Sequence, residues 1–190
     1  DWDCGWQNGS YTEADLEADL ALMQANFSDF LFRHFRLMRP DASERELAKR
    51  GILCRILDGD NIRAGINSNL GFSQEDRREN IRRIAEIGKL FVETGIVTIA
   101  CFVSPTNELR QMAREIIGAK DFREVYIATP LEECERRDVK GLYARARRGE
   151  VKDFTGISAP FEAPGHPDLS LDTSRMTLKE EVEAVVKLCL

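Results

Sequence analysis

The chain has 190 residues, 43% of them hydrophobic and 32% charged, with a net charge of -6 at pH 7. That size suits a single domain able to bury a core without disulfides or a structural metal, and the acidic balance weighs against sequence-independent binding to nucleic acid. Five widely spaced cysteines (Cys4, Cys54, Cys101, Cys134, Cys189) contain no C-x-x-C pair, which argues against a disulfide framework and a zinc site, and no run approaches a membrane span; a cytoplasmic setting is the expectation.

Taken in chain order, Thr12 with Asp15 reads as the cap of a helix carrying Leu16, Leu20 and Met23, and the aromatic-rich stretch from Phe27 to Met38 also reads as helix. Pro40-Asp41 opens a further helix that runs to Gly51. No strand is expected before Ile52. Residues 1–46 are therefore set apart as an atypical helical N-terminal segment, and residues 47–190 as the main domain.

From Ile52 the pattern changes to apolar runs alternating with helices, the signature of an α/β domain with a mostly parallel sheet. Ile52 to Leu57 is the first strand. Ser73 with Asp76 caps a helix whose apolar positions Ile81, Ile84, Ala85, Gly88 and Phe91 recur at helical spacing until Gly95. Ile96 to Val103 is a β-branched strand closed by Ser104-Pro105, with Ser104 as the candidate cap of a helix ending near Gly118. Glu124 to Ala128 is a strand that meets Thr129-Pro130, read as a cap, and then a short helix from Leu131 to Arg137.

Seven basic residues lie between Arg136 and Lys152 (Arg136, Arg137, Lys140, Arg145, Arg147, Arg148, Lys152), so this stretch reads as a solvated or phosphate-facing helix. Residues 153–168 form a long loop, Leu169 to Leu171 a short strand, and Thr177 with Glu180 caps a final helix. His34 and His166 offer no ligand or triad pattern. Cys54 and Cys101 fall inside strands and read as core residues.

Five blocks in order, LDGDNIR (57–63), NLGFSQEDRRENIRRIAEIGKLF (69–91), CFVSP (101–105), TPLEECERRDVKGLYARARRGEVKDFTGI (129–157) and APFEAPGHPDLSLDT (159–173), closely resemble adenylyl-sulfate kinase. This family uses MgATP to phosphorylate the ribose 3'-hydroxyl of adenosine 5'-phosphosulfate (APS), giving 3'-phospho-APS (PAPS) in sulfate assimilation. The resemblance covers about residues 47–190 and implies a P-loop kinase-like three-layer domain. In that family a strand and a glycine-rich phosphate loop precede the DGDN motif. The loop, G-x-x-x-x-G-K-[ST], is not found in this sequence. Where its lysine should fall, near Arg36, the chain reads Phe35-Arg36-Leu37-Met38-Arg39-Pro40, and side chains there leave no room for backbone N–H groups to wrap a phosphate.

By resemblance Asp58 is the catalytic base, although Asp58-Gly59-Asp60-Asn61 taken alone reads as a turn. Asp60 orders that turn or the metal. Arg63, Arg77 and Asn80 are implied acceptor contacts; Arg77 and Asn80 also lie three apart on one helix face near its positive end, where a phosphosulfate gains charge-assisted hydrogen bonds. Arg78, Arg82 and Arg83 share that helix and have Glu79 and Glu86 as alternative partners. Phe72 and Phe154, each in a polar loop, either flank an adenine or anchor their loops. Ser104 matches a serine that contacts the acceptor, Lys140 the lysine of a mobile lid, and Arg137 a nucleotide-binding cation; Arg137 and Asp138 begin the lid.

The implied cofactors are ATP and Mg2+. The implied partners are small nucleotides (APS, PAPS, ATP), with no nucleic acid and no membrane, and the implied assembly is a homodimer or a fusion to a sulfate-activating domain. Three readings stay open: an active kinase, a non-catalytic APS or PAPS sensor, and an assembly module whose residues 1–46 use Phe27, Phe30, Phe32 and Phe35 to dock a partner.

Overall fold

The computed structural model describes residues 40–138, 141–151 and 153–190. The two helices expected between Thr12 and Met38 lie outside the described residues, as do Cys4, His34, Arg36, Arg39 and Lys140.

Helix α1 (Pro40–Lys49) starts on a proline, whose missing N–H has no intrahelical acceptor at that position. It runs across the boundary at residues 46–47, and Ala42 packs on the same cluster as the buried Val182 and the fully enclosed Leu47 and Val186. Strand β1 (Cys54–Asp58) follows and pairs in parallel with β2 (Val97–Cys101), Asp58 standing opposite Cys101. The turn expected after β1 is the short helix α2 (Gly59–Ala64). Asp58 is its N-cap, and the carboxylate satisfies two of the first N–H groups, which a helix leaves without internal partners.

Helix α3 (Gln74–Glu93) has the expected cap, Ser73 accepting from the Asp76 N–H, and buries Ile81, Ile84, Ala85 and Gly88. Helix α4 (Asn107–Ile117) ends at Gly118, whose φ of +101° a side chain would resist. Its cap is Thr106, not Ser104: Ser104 precedes a proline, which holds it extended and outside the helix.

Strands β3 (Val125–Ile127) and β4 (Leu169–Leu171) form a second parallel ladder. Helix α5 (Leu131–Arg137) begins after Pro130 with no side-chain cap; Thr129 instead places its hydroxyl 2.8 Å from that of Thr173, both buried. The basic stretch is not one helix. Gly141, at φ +65°, precedes the separate helix α6 (Leu142–Arg147), which turns Tyr143 and Ala146 inward onto Cys134 and Phe154. Helix α7 (Leu178–Leu188) closes the chain with the reciprocal Thr177–Glu180 capping box.

The architecture is α/β, and both ladders are parallel. Side chains alternate across a strand. Leu57 therefore meets α3 and α4 through Ile81, Ile84 and Met112, while Cys54, Val97 and Ile99 meet α1 and α7 on the other face, giving three layers. Helix α7 also sends Val185 to Ile127 and Leu171, so it serves both ladders. Among the described residues the ladders remain separate two-stranded sheets. A cavity of about 520 Å³ lies between them, lined by Thr98, Ala100, Val125, Ile127 and Val185 among others. Among the described residues no helix is long and apolar enough to cross a membrane.

Candidate functional site

Asp58 ends β1, where a carboxylate at a strand's carboxyl edge can reach a ligand. Its Oδ1 accepts from the N–H groups of Asp60 (2.8 Å) and Asn61 (3.3 Å), which fixes both the turn and the carboxylate plane. Asp60 and Arg63 are carried by the helix that Asp58 caps. From α2, Arg63 donates through Nη1 to the carbonyls of Leu70 (3.1 Å) and Gly71 (2.9 Å), and its guanidinium lies 4.4 Å from the Phe72 ring centroid.

Arg77 sits in the second turn of α3 and joins two segments distant in sequence. Its Nε donates to the Phe72 carbonyl (3.0 Å), Nη1 to Thr155 Oγ1 (3.3 Å) and Nη2 to the Asp153 carbonyl (2.9 Å). The loop bearing Phe72 is thereby tied to the loop bearing Phe154. Asp153 has a φ of +53°, a backbone state that residues other than glycine seldom hold and that concentrates at functional sites.

The electrostatics of this pair favour an anion. Burial lowers the pKa of both guanidiniums; repulsion from Arg77 lowers that of Arg63 further, and smaller pulls from Asp76 on Arg63 and from Asp153 on Arg77 oppose the shift. Neither loses its proton, since a guanidinium stays charged in proteins. Two half-buried like charges side by side gain from an anion placed between them. The other arginines of α3 differ: Arg78 pairs with Glu108, Arg82 with Glu79 and Glu86, and Arg83 with Glu79. Those cations are neutralised by carboxylates, whereas Arg77 hydrogen-bonds neutral carbonyl and hydroxyl groups.

Phe154 is 7% exposed and meets Tyr143 edge-on, with ring centroids 5.4 Å apart, in a small cluster with Cys134 and Ala146. Its loop thus has a core of its own, the loop-anchoring arrangement that the sequence left open beside the adenine one. Phe72 is half-buried beneath Arg63. Asn80, 6% exposed, lies on the same helix face as Arg77 and accepts from Asn67 Nδ2 at 2.9 Å.

Two expected site residues make their hydrogen bonds outside this group. Arg137, at the end of α5, pairs with Glu133 and donates to Thr173 Oγ1 (3.3 Å) and the Thr173 carbonyl (3.2 Å), at the carboxyl end of the β3–β4 ladder. Ser104 lines the cavity between the ladders, and its carbonyl accepts from Arg110 Nη1 at 2.6 Å. That cavity is not the site described above, because Asp58, Arg63, Arg77, Asn80 and Phe154 do not line it. Cys54, pushed up to about 12 by burial, and Cys101, raised for the same reason, stay protonated thiols in the core.

Sequence reasoning passed over Asn67, fully enclosed beside Asn80, and the buried Thr129–Thr173 pair. Asn67 carries the residue type of an ordinary turn former, and nothing local distinguishes it from Asn69.

The fit to a donor nucleotide is one-sided. Arg63 and Arg77 suit an anionic nucleotide, but the sequence lacks G-x-x-x-x-G-K-[ST], and among the described residues no group of three or more His, Cys, Asp or Glu side chains is placed to hold a metal. The described residues do not form a cradle for MgATP phosphates.

Comparison with known proteins gives the family. The family model for adenylylsulphate kinase matches residues 40–172. The adenylyl-sulfate kinase of Phocaeicola vulgatus is 74% identical over 149 residues, covering 78% of this chain and 73% of that protein. That of Bacteroides fragilis strain ATCC 25285 is 68% identical over 149 residues, covering 78% and 74%. Among solved structures, the Mycobacterium tuberculosis APS kinase CysC in complex with AMPPNP and APS matches with a TM-score of 0.75 and 43% identity, covering 78% of this chain and 87% of that one. In both sequence and fold, the chain belongs to the adenylyl-sulfate kinase family.

Proposed function

We propose that this chain binds APS between α2, the start of α3 and the loop at residues 153–157, with the acceptor half of an adenylyl-sulfate kinase site. The observation that carries this reading is the arrangement of Arg77, whose guanidinium bridges the loops of Phe72 and Phe154 with all three hydrogen bonds going to carbonyl or hydroxyl oxygens, the Asp153 carboxylate acting on it only through its charge. In this reading Arg63, Arg77 and Asn80 take the phosphosulfate, Phe72 and Phe154 border the adenine, and Lys140 completes the acceptor contacts. Asp60 keeps the turn in shape. Asp58 has one carboxylate oxygen engaged by backbone N–H groups, and its second oxygen is the group that would receive or orient the 3'-hydroxyl proton.

Phosphoryl transfer to that hydroxyl is the family reaction and depends almost entirely on positioning and electrostatics. ATP and Mg2+ are its expected donor and metal, with Arg137 beside the donor nucleotide. A second reading, a non-catalytic APS or PAPS sensor, is favoured by one specific fact: the sequence has no glycine-rich phosphate loop. The setting implied by either reading is sulfate assimilation in the cytoplasm.

Calorimetric titration of APS and of MgATP into the same sample, followed by an assay for PAPS, tests the proposal. APS binding is the expected result. Product formation on adding MgATP selects the kinase, APS binding with no response to MgATP selects the sensor, and no binding of APS rejects both.

A further inference from the structure

Asn67 is a polar side chain with no exposure, in the turn after α2. The turn itself is secured by its backbone: its N–H donates to the Ile62 carbonyl (2.8 Å) and its carbonyl accepts from Leu70 (3.0 Å). The side chain has another task. Its Oδ1 accepts from Arg83 Nη1 at 3.4 Å, and its Nδ2 donates to Asn80 Oδ1 at 2.9 Å.

The polarity of this chain of bonds is dictated by chemistry. A guanidinium carries only donors, so the end of Asn67 that faces Arg83 must be its oxygen and the end that faces Asn80 must be its nitrogen. Asn80 must then receive with its own oxygen, which turns its NH2 group away from Asn67. Arg83 cannot easily swing aside: it also binds Glu79 (2.8 Å), Asn69 Oδ1 (2.9 Å) and the Ile66 carbonyl (3.1 Å). The donor direction therefore starts at Arg83, held in place by Glu79, and runs through Asn67 to Asn80. Because the Asn67–Asn80 bond is buried, reversing either amide would set like groups against each other away from water.

We propose that Asn67 is a positioning residue: it locks the Asn80 amide with its donor end available to the ligand, so that this part of the pocket selects a hydrogen-bond-accepting, anionic group. This inference rests on the APS-binding reading, and it adds a requirement that reading does not contain. Asn67→Asp is the sharpest variant, because a carboxylate keeps its bond to Arg83 but offers Asn80 only acceptors. The Asn80 amide must then turn over and show its oxygen to the ligand.

The test is a double-mutant cycle on APS affinity, read by calorimetry, using Asn67→Asp, Asn80→Ala and the pair. Asn67→Asp should weaken APS binding about tenfold, the scale of one hydrogen bond to a charged group. In the Asn80→Ala background the same change should have almost no further effect, since the two residues act as one unit. Side-chain amide NMR should show the Asn80 NH2 protons approaching residue 67 in Asn67→Asp only. Asn67→Ala serves if the acidic variant does not fold; it frees the Asn80 amide and should weaken APS binding several-fold, again only when Asn80 is present. Additive losses in the cycle, or unchanged affinity in a folded Asn67 variant, overturn this inference while leaving APS binding intact. A failure of the unchanged chain to bind APS overturns the functional reading and this inference with it.

Discussion

Arg77 stands out from the other arginines of α3 through its partners. A guanidinium paired with carboxylate is largely neutralised, whereas one that donates to carbonyls keeps its charge for a ligand. Its planar fork also holds three oxygens on two loops at once, which a single ammonium cannot reproduce. Arg77→Lys is therefore expected to lower APS affinity on the order of tenfold, and Arg77→Ala further, as measured by calorimetry. Equal affinities for the unchanged chain and Arg77→Lys would show that charge alone suffices.

Glu79 belongs to the same scale. Hydrogen bonds from Arg82 and Arg83 hold its carboxyl well below the ordinary 4.5, at about 2. A carboxyl depressed in the folded state adds stability above its unfolded pKa, and that contribution is lost as pH falls through the folded value. Melting temperature should accordingly fall between about pH 4.5 and pH 2, and Glu79→Gln should flatten part of that slope. The change will be small because the pair is partly solvated. A variant that follows the original slope throughout this window removes Glu79 from the account.

At the scale of elements, the caps explain most of the helix starts. Ser73 with Asp76 and Thr177 with Glu180 satisfy orphan N–H groups within four residues, so they act before any tertiary contact exists. Helix α1 is held differently. Leu47 is fully enclosed against Val182 and Val186 of α7, so its contribution depends on an element more than a hundred residues away. Leu47→Ala should destabilise the fold by about 2–5 kcal/mol, read from a urea transition, because a cavity replaces the lost side chain. A loss below about 1 kcal/mol would mean that α7 closes over the gap.

At the scale of the whole molecule, the resemblance implies a strand ahead of β1. The described residues contain none there, and the strands stand as two ladders flanking a cavity, with α7 packed on both. A two-stranded ladder leaves each strand with an open edge, and such pairs are marginal without cover. Hydrogen exchange should therefore be faster for the amides of β2 and β3 than for the buried face of α3 around Ile81 to Ala85. Equal protection of all three would mean that the ladders open only with the entire fold.

What the sequence determined alone was local. Helical periodicity, the capping pairs and the β-branched runs operate over a few residues, so α3, α5, β4 and α7 were legible, and five motif blocks in order identified the family. The structure decided what depends on distant partners. The bonds Asn67–Asn80, Thr129–Thr173 and Arg77–Asp153 span 13, 44 and 76 residues, and no local pattern announces them. The same reason explains why Thr129 is not a cap, why Phe154 has a core to join, and why Arg77, among several arginines on one helix, is the one left facing neutral oxygens: a side chain's role follows from which groups the fold places within hydrogen-bond reach.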